Sequence, residues 1–207
     1  MNVRIVNGTG TTDGTVNGLG NLIVGYNESR GATDDRSGSH NIVGGIRNNY
    51  SSYGGLVVGY MNTISGACAT VSGGRENTAD GETASVSGGV QNIASGLLAS
   101  VSGGAANTAS GDNSSVSGGD HNLAYSHYSS ILGGEYNVAG ITSGGHDESQ
   151  KATVSGGNAN TANGPVAHIS GGRDNIATGW YSVVSGGASR SVLNTDDWRA
   201  GGYFQEN

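Results

Sequence analysis

Three consecutive stretches decide the reading of this chain: VSGGRENTADGETAS (residues 71–85), VSGGVQNIASGLLAS (86–100) and VSGGAANTASGDNSS (101–115). They repeat every 15 residues, and the same frame recurs through Val71, Val86, Val101, Val116, Ile131, Val154, Ile169 and Val184. Numbered from that apolar residue, position 4 is Gly. Position 7 is Asn, at Asn62, Asn77, Asn92, Asn107, Asn122, Asn137, Asn160 and Asn175. Position 9 is small or apolar, running from Ile64 through Ala79, Ala94 and Ala109 to Ala177 and Val192. Position 11 is Gly at Gly66, Gly81, Gly96, Gly111, Gly164 and Gly179, with Ser126 and Ile141 as departures.

The frame extends upstream. Leu56-Val57-Val58-Gly59 stands one period before Val71, and Asn41-Ile42-Val43-Gly44 one period before that. Leu22-Ile23-Val24-Gly25 precedes them at a longer spacing, so about eleven coils are traceable. The array covers residues 22–190, with insertions near 33–39 and 141–151; the second contains His146, Asp147 and Glu148. Residues 1–21 read as an N-terminal strand and cap, because Asn2-Val3-Arg4-Ile5-Val6 alternates. Residues 191–207 read as an aromatic cap that gathers Val192, Leu193, Trp198, Tyr203 and Phe204. An array of stacked units has to close both ends.

A 15-residue period is too short for helix-pair, leucine-rich or propeller units. The Gly, Ser and β-branched content of each repeat also disfavours helix. The expectation is an all-β parallel β-solenoid, a β-roll, with two short strands per coil. Strand alternation points Val at position 1 inward and its Ser neighbours outward. Position 9 points inward from the second strand. Gly at positions 4 and 11 is expected to turn the chain with positive φ. Asn at position 7 is expected to face inward and bond to adjacent coils, as Asn ladders do in stacked β structure. The bland alternative is a solvent-facing turn Asn. Each coil buries few large side chains against the conformational entropy of ordering fifteen residues. That imbalance predicts further burial against identical copies.

Composition excludes several classes. Of 207 residues 40 are Gly and one is Pro, without a glycine at every third position, so the chain is not collagen. A single cysteine, Cys68, excludes a disulfide scaffold. Nine basic against sixteen acidic residues, a net charge of −7, argue against a nucleic-acid partner. No apolar run approaches the ~20 residues of a membrane span, so no membrane insertion is expected from this segment. No secretion signal is read at the N-terminus, and a longer parent with signal and stalk is expected.

The repeat resembles the head domains of trimeric autotransporter adhesins, the YadA-like heads. Leu22-Ile23-Val24-Gly25, Leu56-Val57-Val58-Gly59-Tyr60-Met61-Asn62-Thr63-Ile64-Ser65-Gly66 and Ser85-Val86-Ser87-Gly88-Gly89-Val90-Gln91-Asn92-Ile93-Ala94-Ser95-Gly96 carry the resemblance, which covers roughly residues 22–190. It implies a left-handed parallel β-roll with three chains around one axis. It also implies a location outside a bacterium, or in a phage tail fibre.

Few residues suggest chemistry. Of the five His, only His121 and His127 lie close in sequence, at unrelated repeat positions, so no metal site is expected. Neither a nucleophile elbow nor a phosphate-binding loop occurs, and no cofactor is expected. Glu76, Asp120, Glu135 and Asp174 sit at the variable positions 5 and 6, where a solvated edge is the simplest reading; paired carboxylates for glycoside cleavage are the alternative. The insertion with His146, Asp147 and Glu148 is either a binding loop or a tolerated neutral insertion. Tyr50, Tyr53 and Tyr60 suit either glycan stacking or core packing.

The expected function is a non-enzymatic structural and adhesive module, the head or shaft of an extracellular homotrimeric fibre. A glycan or matrix ligand and end-to-end assembly are the partners considered. A phage spike with glycan binding or cleavage is the alternative. An ice-binding solenoid is disfavoured, because the Thr column at position 8 is interrupted at Ile93, Leu123, Val138 and Ile176.

Overall fold

The computed structural model describes residues 2–141, 146–147 and 150–200. The chain is an all-β parallel β-solenoid of about ten turns, with two strands per coil. It divides into two compact units, residues 1–105 and 106–207.

In the first unit one sheet stacks Leu22–Val24 (β1), Ile42–Ile46 (β2), Leu56–Tyr60 (β4), Thr70–Val71, Ser85–Val86 and Ser100–Val101, all in parallel. A second sheet stacks Asn49–Tyr50 (β3), Thr63–Ile64, Thr78–Ala79 and Ile93–Ala94. The second unit repeats the plan. Ser115–Val116, Ser130–Ile131, Thr153–Val154, His168–Ile169, Val183–Val184 and Trp198–Arg199 form one sheet. The strands from Thr108–Ala109 to Ser191–Val192 form the other. A third line of backbone pairing joins position 5 of successive coils, Tyr60 to Arg75 to Val90 to Ala105 and Asp120 to Glu135 to Asn158 to Arg173.

The core is made of three columns. Positions 1 and 9 are buried as the alternation requires, and position 14 joins them through Ala69, Ala84, Ala99, Ala152 and Ala167. Ser114, Ser129 and Ser182 occupy the same column. The Ser182 hydroxyl donates to the Gly179 carbonyl at 2.7 Å, whereas the buried Ser114 and Ser129 hydroxyls have no partner. A buried hydroxyl without a hydrogen bond is destabilising. Ser114→Ala and Ser129→Ala should therefore each raise stability by about 1 kcal/mol, read as a higher urea midpoint. A lower midpoint would mean that the hydroxyl is satisfied in solution.

The Asn column is buried and bonds between coils. The Asn77 backbone N–H donates to Asn62 Oδ1 at 2.8 Å. The Asn77 amide donates to the Gly73 carbonyl of its own coil at 3.1 Å and to the Gly89 carbonyl of the next at 3.0 Å. Each side chain thus replaces strand pairing where the backbone turns. In the second unit the series runs through Asn122, Asn137, Asn160 and Asn175, and it ends where the Arg190 N–H donates to Asn175 Oδ1 at 3.0 Å.

The turns correct one expectation. Gly at position 4 does adopt positive φ, as at Gly74 (φ 80). Gly at position 11 does not; its role is space. A Cβ on Gly81 would lie 1.9 Å from the Gly96 carbonyl oxygen of the next coil. The left-handed residues are instead non-glycines at positions 6 and 13, such as Glu76 (φ 57) and Thr83 (φ 55). The conformation is costly for an L-residue. It turns the N–H back to the previous coil, where Glu76 donates to Tyr60 and Thr83 to Ala67, at 3.0 and 2.8 Å. The steric rule also explains Ser126 at position 11. The chain leaves the repeat after Ala139, so no regular corner stacks on Ser126.

The register of the early coils differs from the 15-residue frame. Val57, not Leu56, pairs with Val71, and Val43, not Asn41, stands at that column. These coils have 14 residues because a single Gly, Gly45 or Gly59, replaces the Gly-Gly of positions 3 and 4. β2 and β4 consequently run unbroken for five residues. The extra Gly of later coils splits that strand into a two-residue strand and an isolated bridge.

At the N-terminus the expected strand is corrected, and at the C-terminus the array runs on past residue 190. No strand forms over residues 2–21; the segment is held by Asn17, whose side chain donates to the Asn7 carbonyl at 3.0 Å, and by His40, which accepts from the Asn7 N–H at 3.1 Å. Residues 191–199 continue the repeat, with Val192 buried and Trp198 paired with Val183, while Leu193 and Trp198 remain exposed. Tyr203 and Phe204 lie outside the described residues. Just ahead of the first insertion, Arg30 clamps the neighbouring coils, its guanidinium donating to the carbonyls of Arg47 and Asn62, both at 2.6 Å. Burial lowers its pKa.

Candidate functional site

The corner at positions 12 and 13 projects from each coil, because position 11 is packed against the next coil and position 14 is core. In the second unit the residues there are Asp112 and Asn113, His127 and Tyr128, Gln150 and Lys151, Pro165 and Val166, Trp180 and Tyr181, then Thr195 and Asp196. The second insertion returns to the array at this corner.

Its described residues are anchored. His146 stacks on Tyr125 with ring centroids 4.4 Å apart and meets His127 edge-on at 5.7 Å. The His146 Nδ1 lies 2.5 Å from the Tyr125 carbonyl, and the His146 carbonyl accepts from the His127 N–H at 3.0 Å. The Lys151 N–H returns to the His127 carbonyl at 3.0 Å. Asp147 Oδ1 accepts from the Gln150 amide at 3.1 Å and lies 3.6 Å from His127 Nε2. The other His127 nitrogen faces Asp112 at 3.5 Å. Glu148, read with His146 and Asp147 as a binding loop, lies outside the described residues.

Beside this anchor runs a groove of about 430 Å³, lined by Asp147, Gln150, Lys151, Pro165, Val166, Trp180 and Tyr181. Trp180 is 57 % exposed and Tyr181 54 %. An apolar floor with a few polar groups at its rim is the usual make-up of a binding site. Sequence reasoning placed the insertion, with Gln150 and Lys151 in it, in view but missed Pro165, Val166, Trp180 and Tyr181. The available signal was the Trp180-Tyr181 pair, the bulkiest pair of residues at these two positions in any coil.

The remaining candidates are dispersed. Val71, Val86, Val101, Val116, Ile131, Val154, Ile169 and Val184 are core. Tyr50 is buried and its hydroxyl accepts from Asn27 at 3.0 Å, so it packs rather than presents a surface. The acids at positions 5 and 6 each meet an adjacent side chain. Glu76 accepts from Gln91 at 2.9 Å, Glu135 from Asn158 at 3.1 Å, Asp120 lies 2.7 Å from His121, and Asp174 lies 3.3 Å from Arg173. Among the described residues no group of three or more His, Cys, Asp or Glu is placed to hold a metal ion. A second concavity of about 340 Å³ lies under residues 4–12, where both His40 nitrogens are engaged by backbone groups.

No model of a known protein family matches the chain, and a search of curated proteins finds no match either.

Proposed function

We propose that the chain is a non-enzymatic structural and adhesive module, the head or shaft of an extracellular homotrimeric fibre. The observation that carries this reading is an uncovered apolar field on the first three coils. Val43 and Val57 are buried, so their strand neighbours point outward. Parallel pairing then aligns Leu22 with Ile42 and Leu56, Val24 with Gly44 and Val58, and Ile46 with Tyr60. Farther along the same unit the outward positions are Thr70, Ser72, Ser85, Ser87, Ser100 and Ser102.

A contiguous exposed field of this kind, a few hundred Å² or more, marks an interaction surface on a soluble protein. Its outward residues carry no charge, so it suits a copy of itself. Rotational symmetry brings the same patch of each chain to one axis. The resemblance of these very coils to adhesin heads supports three copies and an extracellular setting.

Light scattering tests the reading. The full chain should have the mass of three chains, and the pair Val58→Asp with Ile46→Asp should reduce it to one while the circular dichroism stays β. Ser87→Asp, on the same face but beyond the field, should leave the trimer intact. A wild-type chain that remains monomeric overturns the fibre reading.

A further inference from the structure

We propose that the groove at the second-insertion corner binds a neutral sugar residue of a glycan. The proposal rests on the adhesive reading and adds the class of ligand to it. A pyranose ring has one face of C–H groups and a rim of hydroxyls. The groove offers the complement. Trp180 and Tyr181 supply exposed aromatic surface, and the electron-rich face of an indole attracts the polarised C–H edge of a ring laid on it. Asp147 accepts hydrogen bonds, Lys151 donates them, and the Gln150 amide does both. Asp147 is held in place by Gln150 and faces His127, so less ordering is required on binding.

Charge argues for a neutral ligand. One carboxylate and one ammonium line the groove, and the chain carries a net charge of −7. A polyanionic glycan would be repelled at long range. Size argues for a short stretch of glycan. Lys151, Val166 and Tyr181 recur at one position in three successive coils, a span of about 10 Å, which is the length of a disaccharide. The groove shares no residue with the apolar field on the first coils, so several copies in one fibre would offer several grooves to one surface.

The experiment uses the full-length chain carrying Trp198→Phe, which leaves Trp180 as its one indole. Lactose, maltose and cellobiose are titrated while tryptophan fluorescence is read, and the same protein is applied to an array of neutral oligosaccharides. At least one disaccharide should give a saturable change with a Kd of about 0.1–10 mM. Trp180→Ala in the otherwise native chain should lower array binding tenfold or more, Trp180→Phe should retain part of it, and Asp147→Asn should weaken it several-fold. Trp180 is exposed, so these variants keep the fold, which circular dichroism checks. No binding to any neutral glycan, or binding indifferent to Trp180→Ala, overturns the proposal. A trimer that binds no glycan would sink the groove alone. A monomer that binds one would sink the fibre and leave the groove.

Discussion

Asn122→Ala lowers the stability of the chain by about 3–5 kcal/mol, a loss confined to one side chain of modest size. Asn122 is 1 % exposed. Its Oδ1 accepts the Asn137 backbone N–H at 3.0 Å, and its amide donates to the carbonyls of Gly118 at 3.0 Å and Gly134 at 2.9 Å. The Gly134 carbonyl also accepts from the Asp120 N–H, so it keeps a partner in the variant. The Asn137 N–H and the Gly118 carbonyl lose theirs. Two stranded backbone groups, each worth about 1–3 kcal/mol, set the estimate. Asn122→Asp separates hydrogen bonding from volume. It keeps an acceptor for Asn137 but turns a negative oxygen toward two carbonyls, which raises its folded-state pKa above the unfolded value. The folded state then holds the proton more tightly, so the penalty is full at neutral pH and shrinks as pH falls through the raised pKa. Urea unfolding at two pH values reads both variants. A loss below about 1 kcal/mol for Asn122→Ala would show that this column does not tie the coils together.

The period and its inward columns were legible because position 1, position 7 and position 9 keep one residue type against variable neighbours. Register failed in the first coils for a physical reason. Leu56, Val57 and Val58 are all apolar, so alternation cannot say which one points inward. That ambiguity has a structural cause. Val57 serves the core, and Leu56 and Val58 serve the uncovered outer face, so both faces of the strand are apolar for different reasons. The left-handed residues at positions 6 and 13 were hidden too. Glu76, Gln91, His121 and Tyr136 share no chemistry, because what holds their φ is a backbone bond to the preceding coil. The groove was half legible. The insertion announced itself by breaking the period, but Trp180 and Tyr181 keep the period and differ only in size.

Gly81→Ala should cost more than about 4 kcal/mol, whereas Gly88→Ala, seven residues away, should be neutral or stabilising by up to about 1 kcal/mol. Neither residue has positive φ, so backbone freedom does not distinguish them. Space does. A Cβ at Gly81 would lie 1.9 Å from the Gly96 carbonyl oxygen and 2.6 Å from its carbon, both main-chain atoms of the next coil. The coils would have to part locally, and the bond from the Asp80 N–H to the Ala94 carbonyl at 3.0 Å lies beside the opening. At Gly88 an added Cβ meets nothing within 4 Å, and alanine reduces the freedom of the unfolded chain. Urea midpoints of the two variants decide it, and a Gly81→Ala midpoint equal to that of the parent would overturn the steric account. The same account makes a statement about Ser126, the residue at position 11 whose following coil departs into the insertion. Removing the insertion, so that a regular corner stacks on Ser126, should turn a tolerated serine into a clash that Ser126→Gly relieves. Position 11 would then be glycine because of the coil that follows it, and the sequence exception would be a consequence of the loop.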